Sequence, residues 1–194
     1  FYHLPREQTF KNWHNKTPDN FLFSLKASRF ISHQKRLKDC LEPWKLFFSR
    51  ARLLKKKLGP ILFQLPPSFK INKSRLGDFL KILPKNQRFT FEFRHPSWFN
   101  QSIYQILKNF NVALTMADTP DYPLRKKITA DFIYLRLHGH EQLYVSNYSD
   151  ACLKKWTKSI KKWVKDYKLK ATYVYFDNDA QGFAPKNALR LKQL

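Results

Sequence analysis

The chain has 194 residues, 43% hydrophobic and 16% aromatic, with a formal net charge of +23. That composition excludes a disordered chain and suffices for a single domain, 1–194, around a sizeable core. No apolar run approaches the ~18 residues of a membrane helix, and the amino end lacks a signal-peptide core, so no membrane partner is expected. Strands are predicted at 21–27 (FLFSLKA), 61–65 (ILFQL), 89–95 (FTFEFRH), 112–117 (VALTMA), 132–138 (FIYLRLH) and 172–178 (TYVYFDN). Helical patterns fill 32–57, 73–83, 97–109 and 150–168, and Gly59-Pro60 is expected to stop the first of these just before a strand. In the last, Leu153, Trp156, Ile160, Trp163, Val164 and Tyr167 form one apolar stripe, with lysines on the other faces.

Alternating strands and helices imply α/β architecture with a parallel sheet, doubly wound or closed as a barrel. The stretch "FTFEFRH" bears on the choice. Side chains alternate along a strand, so Phe89, Phe91 and Phe93 face a core while Thr90, Glu92 and Arg94 face the other way. Polar residues also end the other strands: Ser24 and Lys26, Gln64, Asp118, Arg136 and His138, and Asn178. Helices covering both faces of an open sheet would bury all of these. In a (β/α) barrel they would look into a wet, functional mouth.

The stretches "FYHLP" (1–5), "TPDNFLFSLKASRFISH" (17–33), "LGPILFQLPPSFK" (58–70), "FEFRHPSWF" (91–99), "ADTP" (117–120), "YLRLHG" (134–139) and "VYFDNDAQGFAPKNA" (174–188) resemble the YecE-like family, domain of unknown function 72, over essentially the whole chain. The resemblance implies a TIM-like barrel and, for most members, no established activity. Family members usually carry a leading strand, a helix and a second strand that ends in the Phe-Tyr found here as Phe1 and Tyr2. The expectation is therefore an incomplete barrel lacking the first βα unit and most of the second strand. A complete barrel of this type takes about 250 residues.

Within the mouth, Glu92 is the candidate general base and His138 the candidate acid/base; each is alternatively structural, as a buried ion pair or a hydrogen-bonded ring. Lys26, Arg94 and Arg136 are the candidate anion-binding cations, with Gln64, Asp118 and Asn178 in support. The "HGH" at 138–140 lacks a third ligand in clear spacing, so no metal is assigned, and any cofactor is unknown. Asn187 matches the closing motif, and His95-Pro96-Ser97-Trp98 reads as a helix start with Trp98 over the rim. Phe21, Phe23, Trp44, Phe47 and Phe48 read as core packing.

Cys40 and Cys152 stand in no metal or redox spacing, which suggests free thiols in a reducing, cytoplasmic setting. The four glycines form no nucleotide cradle. Only Glu7, Glu42, Glu92 and Glu141 are present, so glutamates do not balance the lysines. A polyanionic partner, either nucleic acid or a phosphorylated small molecule, is one reading of that excess; a solvated lysine coat is the other. Two functions stay open: an enzyme hydrolysing a phosphate-bearing ligand at the mouth, and a non-catalytic ligand- or nucleic-acid-binding protein. The oligomeric state is not assigned.

Overall fold

The computed structural model describes residues 2–122 and 124–194, so Phe1, expected to end a family strand, lies outside the described residues. The chain divides into two compact units, Phe1–Ile106 and Leu107–Leu194. In each, parallel strands follow one another in sequence order and alternate with helices.

The first unit holds β1 (Phe23–Lys26), β2 (Leu58–Gln64) and β3 (Phe89–Glu92), with α1 (Glu7–Lys16), α2 (Leu41–Ala51) and α3 (Lys73–Lys81). Lys26 pairs with Leu62, and Gln64 with Glu92. This register puts Lys26, Gln64 and Glu92 on one face and Phe63, Phe89 and Phe91 on the other. The aromatic face is packed by Trp44 of α2, 5.9 Å from the Phe63 ring, and by Phe79 of α3, 5.0 Å from it. Each fully buried phenylalanine contributes roughly 1.5–3 kcal/mol. Trp98 is fully buried rather than perched on a rim: it stacks on Phe93 at 4.7 Å and donates to the Phe69 carbonyl. Trp44 and Phe47 are core residues as expected, whereas Phe21 is 45% exposed.

Three features of this unit depart from the sequence expectation. The helix over 32–57 is broken, because Arg36, Leu37 and Asp39 all take positive φ, after a π turn at Phe30–Gln34 and before α2. Gly59 and Pro60 lie inside β2 rather than before a strand. A Cβ on Gly59 would sit 2.9 Å from the Phe23 carbonyl oxygen, so close strand approach is what needs a glycine there. Finally, α1 was not predicted; its Phe10 is buried, and Lys57 reaches it from the basic run before β2. The Lys57 ammonium, 2% exposed, donates to the His14 and Thr17 carbonyls at 2.6 and 2.7 Å, where the helix's negative end favours a cation.

The second unit holds β4 (Ala113–Asp118), β5 (Phe132–Leu137) and β6 (Ala171–Phe176), with α5 (Asp150–Tyr167) and α6 (Phe183–Gln193); α4 (Gln101–Asn109) runs across the division of the chain. The helix α6 was also not predicted. Ser149 caps α5 by accepting from the Cys152 amide, and Lys168 ends it in the left-handed region. Met116, Leu135, Leu137, Leu153 and Trp156 form the core. Of the predicted stripe on α5 only Leu153 and Trp156 are buried; Ile160 and Trp163 are partly buried, and Val164 and Tyr167 are exposed. Among the described residues no helix is long and apolar enough to cross a membrane.

Candidate functional site

In the first unit, the polar strand face brings four predicted residues together. Lys26 Nζ donates to Gln64 Oε1 at 2.9 Å, and Arg94 Nη2 donates to the same oxygen at 3.1 Å. Arg94 Nε donates to Glu92 Oε1 at 3.0 Å, where the Glu92 side chain is 1% exposed. Two cations, one from β1 and one just beyond β3, thus converge on one neutral oxygen, with one buried carboxylate beside them. Parallel pairing aligns the carboxyl-terminal ends of the strands, so the constellation follows directly from register.

The cations of this cluster also act on His33, to which the sequence motifs gave no role. Burial, then Arg29, Lys26 and Arg94, lowers its imidazole to about 4. His95 begins a turn as expected, its Nδ1 accepting from the Ser97 amide.

In the second unit, Arg136 Nη2 donates to Asp177 Oδ2 at 3.0 Å. His138 Nδ1 lies 2.9 Å from that same oxygen, within ion-pairing reach but without hydrogen-bond alignment. The ring is 1% exposed, and neither nitrogen has a well-formed hydrogen bond among the described residues. A carboxylate beside one ring nitrogen orients an imidazole for acid/base work or ligand binding. Asp177 was not assigned to the site from sequence. Its signal is parity: Arg136 pairs with Tyr175, so the next residue on that face of the last strand is Asp177.

The same parity turns Asp118 and Asn178 to the opposite, helix-covered face. Ala117 pairs with Arg136 and Asp118 with Leu137, while Phe176 pairs with Leu137. Asp118 accepts from the Tyr148 hydroxyl at 3.0 Å, and that hydroxyl accepts from the Gly139 amide. Burial and the Asp118 carboxylate push the Tyr148 hydroxyl far above its ordinary range. Asn178 donates to the Ser146 carbonyl and to Asn187 Oδ1, each at 2.9 Å, while Asn187 donates to the Tyr148 carbonyl. These two asparagines tie the end of β6 to the 146–148 segment and α6.

Both cysteines are free thiols. Burial pushes Cys40 up to about 11 and raises Cys152, so neither is a ready thiolate at neutral pH. Cys152, Asp118, Lys126, His140, Lys155 and Trp156 border a cavity of about 250 Å³. Among the described residues, no three His, Cys, Asp or Glu side chains gather as metal ligands.

Comparison with known proteins places this geometry in a family. Over 99 residues the chain is 33% identical to the UPF0759 protein YecE of Escherichia coli K12, a match covering 50% of this chain and 36% of that protein. The chain thus matches about a third of the length of that curated relative. The UPF0759 protein YunF of Bacillus subtilis is 22% identical, over all of this chain and 80% of its own length. A DUF72 family crystal structure from Thermotoga maritima superposes with a TM-score of 0.84 at 29% identity, covering 100% of this chain and 80% of that one. A second, from Enterococcus faecalis, gives 0.86 at 20% identity and 81% coverage. The fold is accordingly the α/β, TIM-like one expected, spanning about four-fifths of those structures. The family model for "Protein of unknown function DUF72" matches residues 1–194, and the chain belongs to that family.

Proposed function

We propose that the protein binds a phosphate-bearing anion at the carboxyl-terminal strand ends of its first unit, with Lys26 and Arg94 as the binding cations. The observation that carries this reading is the convergence of both cations on Gln64 Oε1. A neutral amide oxygen holds the two heads side by side, and Glu92 is paired with Arg94. A fork-shaped guanidinium beside an ammonium suits a tetrahedral oxyanion. Phosphorylated small molecules and nucleic acid both present that group. In its enzymatic form this reading gives proton transfer to Glu92 in the first unit. In the second unit His138, faced by Asp177 and accompanied by Arg136, offers the same combination of cation and acid/base group.

Calorimetric titration with sulfate, a phosphate-like dianion, tests the binding. Lys26→Met and Arg94→Lys should each weaken it about tenfold or more, since a hydrogen bond to a charged group contributes about 1.5–3 kcal/mol. Equal affinity in the wild type and both variants would sink the proposal.

A second, non-catalytic reading has its own observation. Lys154, Lys158 and Lys161 border a groove of about 300 Å³ on α5, a basic surface suited to a polyanion such as nucleic acid. Lys154 and Lys162 pair with Asp150 and Asp166, which tempers the field there. If duplex DNA binds this face, affinity should fall steeply with salt. Reversing Lys154, Lys158 and Lys162 to Glu should then flatten the log–log slope, by about 0.9 for each phosphate no longer neutralised. A slope unmoved by the three reversals would leave the lysines as a solvated coat.

A further inference from the structure

The cavity of about 250 Å³ in the second unit takes no part in the reading above. Asp118 and Lys126 border it from the end of β4 and the segment that follows, and Cys152, Lys155 and Trp156 border it from α5. Register turns Asp118 to the helix-covered face, so this space is separate from the face that holds Arg136 and Asp177. Its apolar lining is Trp156, 6% exposed, with Leu124 and Cys152. Its charges do not balance. The Lys126 ammonium stands 4.8 Å from the centroid of the Trp156 ring, and a ring face attracts a cation without neutralising it. Among the described residues neither Lys126 nor Lys155 forms an ion pair. Asp118 is the one carboxylate on the described lining, and it already accepts from the Tyr148 hydroxyl at 3.0 Å. Exposed His140 has its own counter-charge in Glu141, 3.6 Å away. Two ammoniums against one carboxylate leave an excess of one positive charge.

We infer that this cavity is a binding site for a small organic monoanion, a carboxylate on an apolar body. The single excess positive charge matches one carboxylate, which takes charge-assisted hydrogen bonds from Lys126 and Lys155. The apolar body packs against Trp156, Leu124 and Cys152 and leaves water in doing so. Volume sets the size: at ~30 Å³ per water the cavity has the bulk of roughly eight waters, which suits a molecule of about ten non-hydrogen atoms. A bare inorganic anion leaves the apolar lining unused, and a neutral molecule leaves the ammoniums unanswered. A dianion overshoots the excess charge and is repelled by Asp118. The site is distinct from the Lys26 and Arg94 cluster of the first unit, and its test touches neither residue.

Benzoate, an aromatic ring bearing one carboxylate, is the probe, and the Cys152 thiol on the lining reports occupancy. The full chain is alkylated with iodoacetamide at mildly alkaline pH, because burial raises that thiol. Mass spectrometry locates the label, and Cys40, 3% exposed, serves as the internal reference. A ligand of this size that fits binds at about 1 mM or tighter, so benzoate at about 10 mM should slow Cys152 labelling about fivefold or more. Acetate and benzyl alcohol, which carry the charge and the body separately, should leave the rate nearly unchanged. Lys126→Met combined with Lys155→Met should abolish the protection, read as the ratio of rates with and without benzoate. Both side chains are exposed and neither is in an ion pair, so the melting temperature should stay that of the wild type. The comparison of probes on the wild type stands without that variant. No protection by benzoate, equal protection by benzyl alcohol, or protection that survives in the double variant overturns the inference. Stronger protection by phenyl phosphate overturns the single charge assigned to the ligand.

Discussion

Glu92 brings a carboxylate into a place 1% exposed, where an unpaired charge would cost several kcal/mol. Arg94 supplies the counter-charge at 3.0 Å, and the guanidinium is itself held by Gln64. This arrangement makes one substitution informative. Glu92→Gln keeps the shape and removes the charge. If Glu92 moves a proton, the variant should bind the anion as well or better while any turnover falls by about 100-fold or more. If Glu92 is the scaffold of Arg94, stability should fall by about 3 kcal/mol or more. Because the pair is buried and bonded, we expect the stability loss, read as a lower urea midpoint. An unchanged midpoint with lost turnover would make Glu92 catalytic.

Turns and helix ends, rather than the strands, hold the side chains of the second unit in position. After β5 the chain reverses at Gly139, with φ +102, and its amide meets the Tyr148 hydroxyl that also reaches Asp118. A Cβ there would lie 2.5 Å from the Gln142 carbonyl oxygen. Gly139→Ala should therefore strain the backbone and displace the turn that follows His138, costing about 1–3 kcal/mol. Thermal melting measures the cost. A melting temperature equal to the wild type's would show that the turn tolerates a side chain and that the close approach is not a constraint. In the first unit a comparable device is ionic, with Lys57 holding the last carbonyls of α1.

For the molecule as a whole, the unpaired side of β1 matters most. It pairs with β2 on one side, and among the described residues no strand pairs with its other side. Phe21 and Leu22, just before it, are 45% and 49% exposed. An open strand edge beside exposed apolar side chains invites pairing with another chain. We expect this polypeptide to self-associate with rising concentration in sedimentation experiments, and Phe21→Lys with Leu22→Lys to reduce that association. A monomer at all concentrations would show that the edge is protected. The charge of +23 works against non-specific association at low salt, so added salt should strengthen self-association if the edge drives it.

Much of the fold could be read directly from the residues. The period-two alternation of Phe89 and Phe91 against Thr90 and Glu92 holds along β3, which ends at Glu92, because a strand has no other way to dispose its side chains. The same alternation placed Lys26, Gln64 and Arg136 on the faces they occupy. It did not place Asp118 and Asn178, because parity is meaningful only against a neighbour's register. Pairing of Ala117 with Arg136, and of Arg136 with Tyr175, gave the polar face to Asp177 and sent those two to the helices. His33 was invisible for a related reason. A π turn and three residues at positive φ interrupt the helical period there, and one of the cations acting on it, Arg94, comes from a segment far away in sequence. Lys57 looked like one more surface lysine until α1 supplied carbonyls for its ammonium. Local patterning specifies which residues share a face, since that depends on adjacent bonds alone. Which charges meet depends on strand pairing and on turns that bring distant segments together, and those exist only in the folded chain.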